Sequence, residues 1–420
     1  MFATIKQIFS PNCKDLRQRL LFTLGVLSLF ILGCSIRVPG TTDLTGNLGF
    51  LELLNTMGGG ALEKFSIFGL GVMPYISASI IVQLLEMDIV PYFVELSKQG
   101  HSGRQKLNQI TRYMGIGFAF IEGFAFSYAY YGAGYTLAQH MYIAVVLTAG
   151  TAFLLWLGDQ ITQKGIGNGV SLIIAAGIIA TLPQMFITAF QGLTADVATW
   201  VGILKFVAFV LVYLLIVVGV IFVESAVREV PIQYANKSTS VRGKNHSYMP
   251  IKLNSANVIP VIFASSLVAV PATIAQFVKN ESFSNCVNKY IVYTSATGFL
   301  IYAILIIFFA YFYTFIQLKP DDLAKNLQDS GGYIPGVVPG NATNKYVSNI
   351  LGRLTIVGAL SLIALSGLPI IFQKISGLPQ SVSIGGTGLL IVVGVAVETY
   401  KQLEGSIIAR NYKKGYSRRR

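Results

Sequence analysis

The sequence predicts an all-α polytopic membrane protein with about ten transmembrane helices, and three observations support this. Hydrophobic residues make up 53% of the chain and charged residues only 12%, whereas about 25% of an ordinary soluble domain is charged. The apolar residues gather into ten windows, each near the roughly 20 residues that cross a bilayer. The Lys and Arg residues between these windows are distributed in a strongly one-sided way.

The ten windows are apolar on all sides, which is typical of membrane spans rather than of amphipathic surface helices. The first window follows three basic residues and resembles a signal peptide, but it ends without a clear cleavage site, so we expect an uncleaved span. The windows lie near residues 20–36, 68–86, 114–134, 141–158, 169–189, 201–223, 257–278, 294–317, 354–373 and 385–403.

The basic residues predict the orientation of the spans. If the N-terminus is cytoplasmic, the cytoplasmic segments carry 25 of the 31 Lys and Arg residues. This bias favours two cytoplasmic termini and an even number of spans. The net charge of +13 is therefore interpreted as orientation charge, not as a surface for direct nucleic-acid readout. The cytoplasmic segments are 1–20, 87–113, 159–168, 224–256, 319–353 and 401–420.

Ten spans divide into two halves of five, residues 1–190 and 191–420. Because each half has an odd number of spans, the second half starts on the opposite side and the halves form an inverted pair. No convincing sequence repeat relates them, so topology alone supports this prediction.

Two long cytoplasmic loops are predicted, at residues 224–256 and 319–353. Solvated connectors with orientation charges explain the basic residues of both loops. The length of the second loop, with turn signals at Pro335-Gly336 and Pro339-Gly340, favours a structured protrusion. The basic residues of the first loop are Arg228, Lys237, Arg242, Lys244 and Lys252.

The segment at 45–57 contains an apolar run that is too short to cross a bilayer. Three glycines, Gly58, Gly59 and Gly60, follow it and form a candidate hinge. The run is either a re-entrant helix inside the protein or an interfacial helix on the outer leaflet, and the residues alone leave both alternatives open. Its apolar residues are Leu48, Phe50, Leu51, Leu53, Leu54 and Met57.

The sequence contains no catalytic constellation: no phosphate loop, GxSxG or HExxH motif occurs. Its three cysteines (Cys13, Cys34 and Cys286) and three histidines are far apart, so we predict packing cysteines and no metal site or cofactor. The glycine-rich stretch 165–169 follows a span and predicts a tight loop with a close helix entry. We therefore predict a protein that is not an enzyme.

Two acids lie within predicted spans. Glu398 is near the cytoplasmic end of the tenth window and is expected to reach the interface and meet Lys401. Glu122, in the third window, is expected to face the protein interior or to snorkel. So few buried charges argue against an ion pump or a secondary transporter.

Long motifs covering nearly the whole chain, in order, resemble those of the SecY family of bacterial protein-conducting channels. The resemblance implies two halves that close like a clamshell around an hourglass pore in the cytoplasmic membrane, with the segment 45–57 as a plug. The motifs are Gly59–Leu62 with Ser66–Ile81, Trp156–Thr162 with Gly165–Gly169, Val230–Ala235, Ile259–Ala264, Asn326-Leu327 with Tyr333–Gly336, and Gly385–Thr387 with Leu389–Val393.

The resemblance also implies functional residues. An apolar pore ring would consist of Val72, Ile76, Val170, Ile174, Ile262 and Ile391. A lateral gate that opens toward membrane lipids would include Ile76, Ser77, Ile80, Gln83, Ile259, Ile262 and Ser266. The basic residues of the first loop, with Gly336, Val338 and Gly340 of the second, would dock the SecA motor ATPase or a ribosome. The implied partners are SecE, SecG and preproteins that bear signal sequences.

Two departures from the family pattern affect this interpretation. The family usually has Arg where this chain has Val338, a position important for motor docking, and Gly where it has Asn257. These departures leave open an accessory paralogue with few substrates. The competing interpretations from other classes are a secondary transporter for small solutes and an insertase or structural scaffold without a pore.

Overall fold

The computed structural model describes residues 14–44, 51–86, 90–194, 199–234, 247–278, 281–291, 295–377 and 380–417. These residues form a bundle of long helices with one small sheet. The helices are α1 (Lys14–Gly33), α2 (Leu51–Met57), α3 (Met73–Leu85), α4 (Pro91–Lys98), α5 (His101–Tyr131), α6 (Leu137–Lys164), α7 (Gly169–Thr194), α8 (Thr199–Ser225), α9 (Ile259–Val278), α10 (Glu281–Tyr290), α11 (Ala296–Gln317), α12 (Pro320–Asp329), α13 (Asn341–Ser376) and α14 (Gln380–Ser417).

Each of the ten predicted windows coincides with a described helix, which confirms the predicted all-α membrane fold. Among the described residues, six helices are long and apolar enough to cross a membrane: α1, α6, α7, α8, α11 and α13. Helix α3 is apolar but has only 13 residues. Helix α5 carries Arg104, Lys106 and Arg112, which make its first half polar, and Glu122 lies in its second half.

Small residues allow the helices to approach one another closely. A Cβ on Gly115 of α5 would lie 3.1 Å from the Tyr75 Cα of α3, and a Cβ on Gly123 would lie 3.4 Å from the Ala144 Cα of α6. Such close approach is the usual basis of helix packing in membranes, where van der Waals contact replaces the hydrophobic driving force. The stack α3–α5–α6 is built in this way.

The two predicted loops meet in one three-stranded antiparallel sheet with the order β2-β1-β3. Strands β1 (Val227–Tyr234) and β2 (Ser247–Lys252) form a hairpin, and β3 (Gly332–Tyr333) pairs with the end of β1. The first loop is shifted by two residues, because α8 continues to Ser225 and α9 begins at Ile259. The second loop is shorter than predicted because α13 begins at Asn341.

A separate apolar cluster holds this sheet against α12 and α13. Residues from both loops are buried in it, so the second loop is structured, as its turn signals indicated. The cluster consists of Val230, Ile232, Ile251, Leu327, Ile334, Val347 and Leu351.

Candidate pore, plug and lateral gate

The structure brings the six residues of the expected pore ring into one apolar cluster. Five of them are buried in it, and Val170 is partly buried against it. They come from four elements that are far apart in the sequence. Val72 and Ile76 lie at the start of α3, Val170 and Ile174 at the start of α7, Ile262 on α9 and Ile391 on α14. That these side chains seal a pore stays a prediction.

The start of α7 is fixed by the glycine-rich loop before it. The Asn168 side-chain oxygen accepts hydrogen bonds from the Val170 N–H (3.2 Å) and the Ser171 N–H (3.4 Å), as an N-cap residue does. The Gly169 N–H donates to the Thr162 hydroxyl at 2.9 Å, and a Cβ on Gly169 would collide with the Gly158 backbone. The predicted tight loop and close helix entry are confirmed, and they position Val170.

The start of α3 is held by a different arrangement. Gly71 has φ +56°, and Pro74 occupies the first turn of the helix, where its missing N–H costs no hydrogen bond. The buried Thr151 hydroxyl of α6 donates to the Gly71 carbonyl at 3.2 Å. This bond joins the backbone before Val72 to α6.

The short helix α2 lies inside the protein, not on its surface. Asn55, Thr56 and Met57 are buried, and Met57 belongs to the same cluster as the expected ring. Leu54 is partly buried and packs against that cluster. Of the two open alternatives, the structure favours the re-entrant helix. Leu51 and Leu53 lie on α2, while Leu48 and Phe50 lie outside the described residues.

Two of the three glycines after α2, Gly58 and Gly59, have little room for a side chain. Gly59 and Gly60 have φ angles of +74° and +77°, which side chains rarely adopt, and the Gly60 N–H donates to the Asn55 carbonyl at 2.8 Å. The buried Cys34 thiol donates to the Gly58 carbonyl at 3.4 Å. Glycine at these positions therefore permits the backbone conformation and the close contacts, and their role as a hinge stays a prediction.

The polar side chain of Asn55 ties α2 to the following loop. Its oxygen accepts a hydrogen bond from the Glu63 N–H at 3.0 Å, and its amide nitrogen donates to the Glu63 carboxylate at 3.4 Å. Asn55 was not among the residues predicted from the sequence. The feature of the sequence that could have identified it is a polar residue within a short apolar run.

The two helices of the expected lateral gate, α3 and α9, pack against each other. Ser77 of α3 and Ser266 of α9 line a cavity of about 270 Å³ together with Leu54 of α2 and Glu122 of α5. Glu122 is thus half-buried at the edge of this mostly apolar cavity.

The remaining expected gate residues lie on the same two helices. Ile80 is buried, Ile259 is partly buried, and the Gln83 amide donates to the Ser79 hydroxyl at 3.0 Å. The structure therefore places all the residues expected at the gate on two helices that pack against each other.

A larger cavity of about 980 Å³ is lined by polar groups and by Val170 of the expected ring. Arg112 of α5 and Asp159 of α6 form an ion pair in its wall. This pair was not predicted from the sequence, although Asp159 stands at the boundary of a predicted span. The cavity forms a polar vestibule that borders the apolar cluster.

The residues expected to dock a partner are only partly described. At the base of the β1–β2 hairpin, Arg228 pairs with Ile251 and Lys252 pairs with Val227. Val338 is 72% exposed, in a turn flanked by Gly336 (φ +83°) and Gly340 (φ +100°). Lys237, Arg242 and Lys244 lie outside the described residues.

Two predictions from the sequence are wrong. Cys286 is exposed on α10, so it is not a packing residue, whereas Cys34 is buried as predicted. Glu398 does not pair with Lys401 in the described part of the chain. Its carboxylate accepts a hydrogen bond from the Asn257 amide, and Lys401 donates to the Glu224 backbone carbonyl instead.

These features define the class of protein. A bundle of apolar helices encloses an apolar cluster bordered by a polar vestibule and an internal short helix, which is the architecture of a polytopic membrane channel. The SecY family model matches residues 66–400, and the chain therefore belongs to the SecY family.

Curated relatives and solved structures agree with this assignment. The chain is 46% identical to the protein translocase subunit SecY of Staphylococcus aureus (strain NCTC 8325 / PS 47) over 430 aligned residues, covering 98% of this chain and 99% of the relative. It is 47% identical to that of Staphylococcus epidermidis (strain ATCC 12228 / FDA PCI 1200), with the same coverage.

Two solved structures share the fold. A structure of a protein conducting channel has a TM-score of 0.68 at 19% identity, covering 94% of this chain and 93% of that chain. Sec61 in the canine ribosome-channel complex has a TM-score of 0.64 at 19% identity, with the same coverage.

Proposed function

We propose that this chain is the pore-forming subunit of a protein-conducting channel. It translocates unfolded preproteins across the cytoplasmic membrane and releases hydrophobic segments sideways into the lipid. The observation that carries the proposal is the convergence of six apolar residues from four separate helix regions in one cluster, beside a polar vestibule. The family membership, with its translocase relatives, supports it.

The apolar ring suits this task physically. A constriction of branched apolar side chains resists wetting and so blocks ions. It makes no specific hydrogen bonds to a passing polypeptide, so chains of any sequence slide through it. Met57 of α2 packs in the same cluster and closes the resting channel as a plug.

The lateral gate is the contact between α3 and α9. Separation of these helices opens the 270 Å³ cavity toward the lipid, and an apolar signal sequence partitions into the opening. The contact between the helices is mostly apolar, which favours reversible opening, since no strong polar bond between Ser77 and Ser266 must be broken.

The orientation and the partners belong to the same proposal. The sheet of β1, β2 and β3 lies in the cytoplasm with both termini, as the distribution of basic residues indicates. The sheet and the Val338 turn dock SecA or a ribosome, and SecE and SecG complete the complex around two inverted halves, 1–190 and 191–420. A solved relative in a ribosome-channel complex supports the ribosome as a partner.

The competing functions are less well supported. The translocase relatives, similar over nearly their whole length, favour the channel over a secondary transporter. An accessory role with few substrates differs from this proposal only in substrate range.

The experiment that tests the proposal is export of a signal-bearing precursor into vesicles that contain this chain with SecE and SecG. SecA and ATP are added, and protection of the precursor from protease is measured. We expect protection that requires ATP, SecA and this chain, because a passive pore needs a motor to push the polypeptide.

Three controls give the result its meaning. Vesicles without this chain, reactions without SecA and a precursor without its signal sequence should all leave the precursor accessible to protease. A ribosome-bound nascent chain is tested in the same vesicles as a second substrate. Absence of protection with both substrates, in vesicles whose complex is shown to be folded, would contradict the proposal.

A further inference from the structure

A buried turn, residues 253–258, connects the β1–β2 hairpin directly to gate helix α9. Strand β2 ends at Lys252, and α9 begins at Ile259. Asn254 and Asn257 in this turn are only 4% and 7% exposed. The turn is therefore part of the protein interior and not a flexible connector.

Neighbouring helices leave this turn no free space. The Leu253 N–H donates to the Ala226 carbonyl at 2.9 Å, which closes the base of the hairpin. A Cβ on Gly358 of α13 would lie 2.9 Å from the Leu253 carbonyl oxygen. A Cβ on Gly394 of α14 would lie 2.6 Å from the Val258 side chain. The turn is thus confined by α13 and α14.

Polar side chains join the turn to α8. The Asn254 amide donates to the Glu224 carboxylate at 2.7 Å and to the Asn257 carbonyl at 2.8 Å. Lys401 of α14 donates to the Glu224 backbone carbonyl at 2.6 Å. Because buried polar groups need partners, these bonds favour one arrangement of the hairpin base.

Asn257 adds one further bond, directly to α14. Its φ of +53° is left-handed, a conformation that glycine adopts freely and asparagine tolerates. Its amide donates to the Glu398 carboxylate at 3.4 Å. Glycine at this position would keep the backbone and lose the bond, so the side chain contributes a contact between the start of α9 and α14.

We propose that Asn257 and Glu398 form a latch that holds the cytoplasmic start of gate helix α9 against α14 and so stabilises the closed gate. This rests on the proposed function, because it takes α9 as a gate helix. Ile259 and Ile262 follow Asn257 closely at the start of α9, so movement at the latch moves the gate and the ring together.

The test compares Asn257→Gly, Glu398→Ala and the double variant, each reconstituted in vesicles. Gly preserves the left-handed backbone, so Asn257→Gly removes the bond without strain. Glu404→Ala is the matched control, because Glu404 lies on the same helix and makes no hydrogen bond or ion pair within the described residues. Thermal unfolding confirms that each variant is folded.

Gate opening is measured as the distance between spin labels on α3 and α9. Ile81 and Leu267 are exposed positions for the labels, introduced as cysteines after the three native cysteines are replaced by alanine. We expect each single variant to raise the ratio of open to closed gate about fivefold, the change that loss of one hydrogen bond produces. The double variant should show the same change, because both substitutions remove one bond.

Two outcomes would overturn the latch: single variants that match Glu404→Ala, or a double variant whose effect is the product of the two single effects. The pore itself is checked separately by resting ion conductance of the double variant Ile76→Gly with Ile262→Gly. If that variant conducts ions while the latch variants leave the gate closed, the latch proposal is wrong and the channel proposal is unaffected. If it does not conduct, the ring assignment fails independently of the label distances, and the channel proposal itself is tested separately by the export assay.

Discussion

Gly59, in the glycine stretch that follows α2, and Gly177 on α7 pack backbone against backbone. A Cβ on Gly59 would lie 3.3 Å from the Gly177 Cα, and a Cβ on Gly177 would lie 3.0 Å from the Gly59 nitrogen and would collide with the Met57 carbonyl oxygen. The seat of α2 therefore depends on a glycine in a different helix, distant in sequence. A side chain at position 177 must displace the end of α2.

Gly177→Ala is expected to unseat the plug and to raise the resting ion conductance of the channel several-fold. The added methyl group meets backbone atoms, which cannot rotate away as a flexible side chain can. The measurement is single-channel recording in planar bilayers. Gly117→Ala on α5 is the matched control, because a Cβ there meets no atom within 4 Å.

If Gly177→Ala and Gly117→Ala both leave the conductance at background, α2 does not close the channel. If both raise it equally, the effect comes from general destabilisation of the helices and not from the plug seat.

Replacement of Ile76 and Ile262 by glycine is expected to make the resting channel leak ions. Both side chains are buried in the apolar cluster, and their removal opens space that water can enter, which lowers the barrier to ions. Ion flux through reconstituted vesicles measures the leak.

The control for this variant carries glycine at Ile81 and Leu267, which are exposed residues on the same two helices. It imposes a similar loss of helix propensity without changing the cluster. Conductance at background in the Ile76 and Ile262 variant would show that these residues do not form the ring.

Local patterns predicted the helices because hydropathy and length are properties of contiguous residues. The sheet was not predicted, since its pairing of Gln233 with Tyr333 joins two distant loops. The predicted contact between Glu398 and Lys401 was wrong for the same reason. Sequence neighbours were assumed to pair, but Glu398 contacts Asn257, a residue 141 positions away.

The candidate site followed from the family resemblance and not from periodicity. Each of the six ring residues, taken alone, is an ordinary apolar core residue. Only the family motifs identified them as expected ring residues. The Asn257 departure was visible in the sequence, but its positive φ and its bond to Glu398 required the structure.

Asn168→Ala is expected to destabilise the protein by about 1 kcal/mol, the usual effect of losing an N-cap side chain. The side chain accepts hydrogen bonds from Val170 and Ser171 at the start of α7. Thermal unfolding of the purified protein in detergent measures the loss. Asn349→Ala, an exposed position on α13, is the control, and equal melting temperatures for the two variants would contradict the capping role.

Val338→Arg is expected to strengthen docking of SecA about tenfold, which corresponds to one charge-assisted hydrogen bond of about 1.5 kcal/mol. Val338 is 72% exposed and the adjoining turn is set by Gly336 and Gly340, so the substitution leaves the fold unchanged. The measurement is the SecA concentration that gives half-maximal ATP-dependent export. Val338→Lys is the matched control, since it adds the same charge without the planar fork of arginine.

The comparison of the two variants separates three possibilities. A gain for Arg alone indicates a specific acceptor on the motor that recognises the guanidinium geometry. An equal gain for Lys and Arg indicates general attraction to an acidic surface, and this gain should fall as the salt concentration rises. No gain from either variant would show that the valine does not weaken motor docking in this chain, because the exposed side chain has no packing role that could hide an effect.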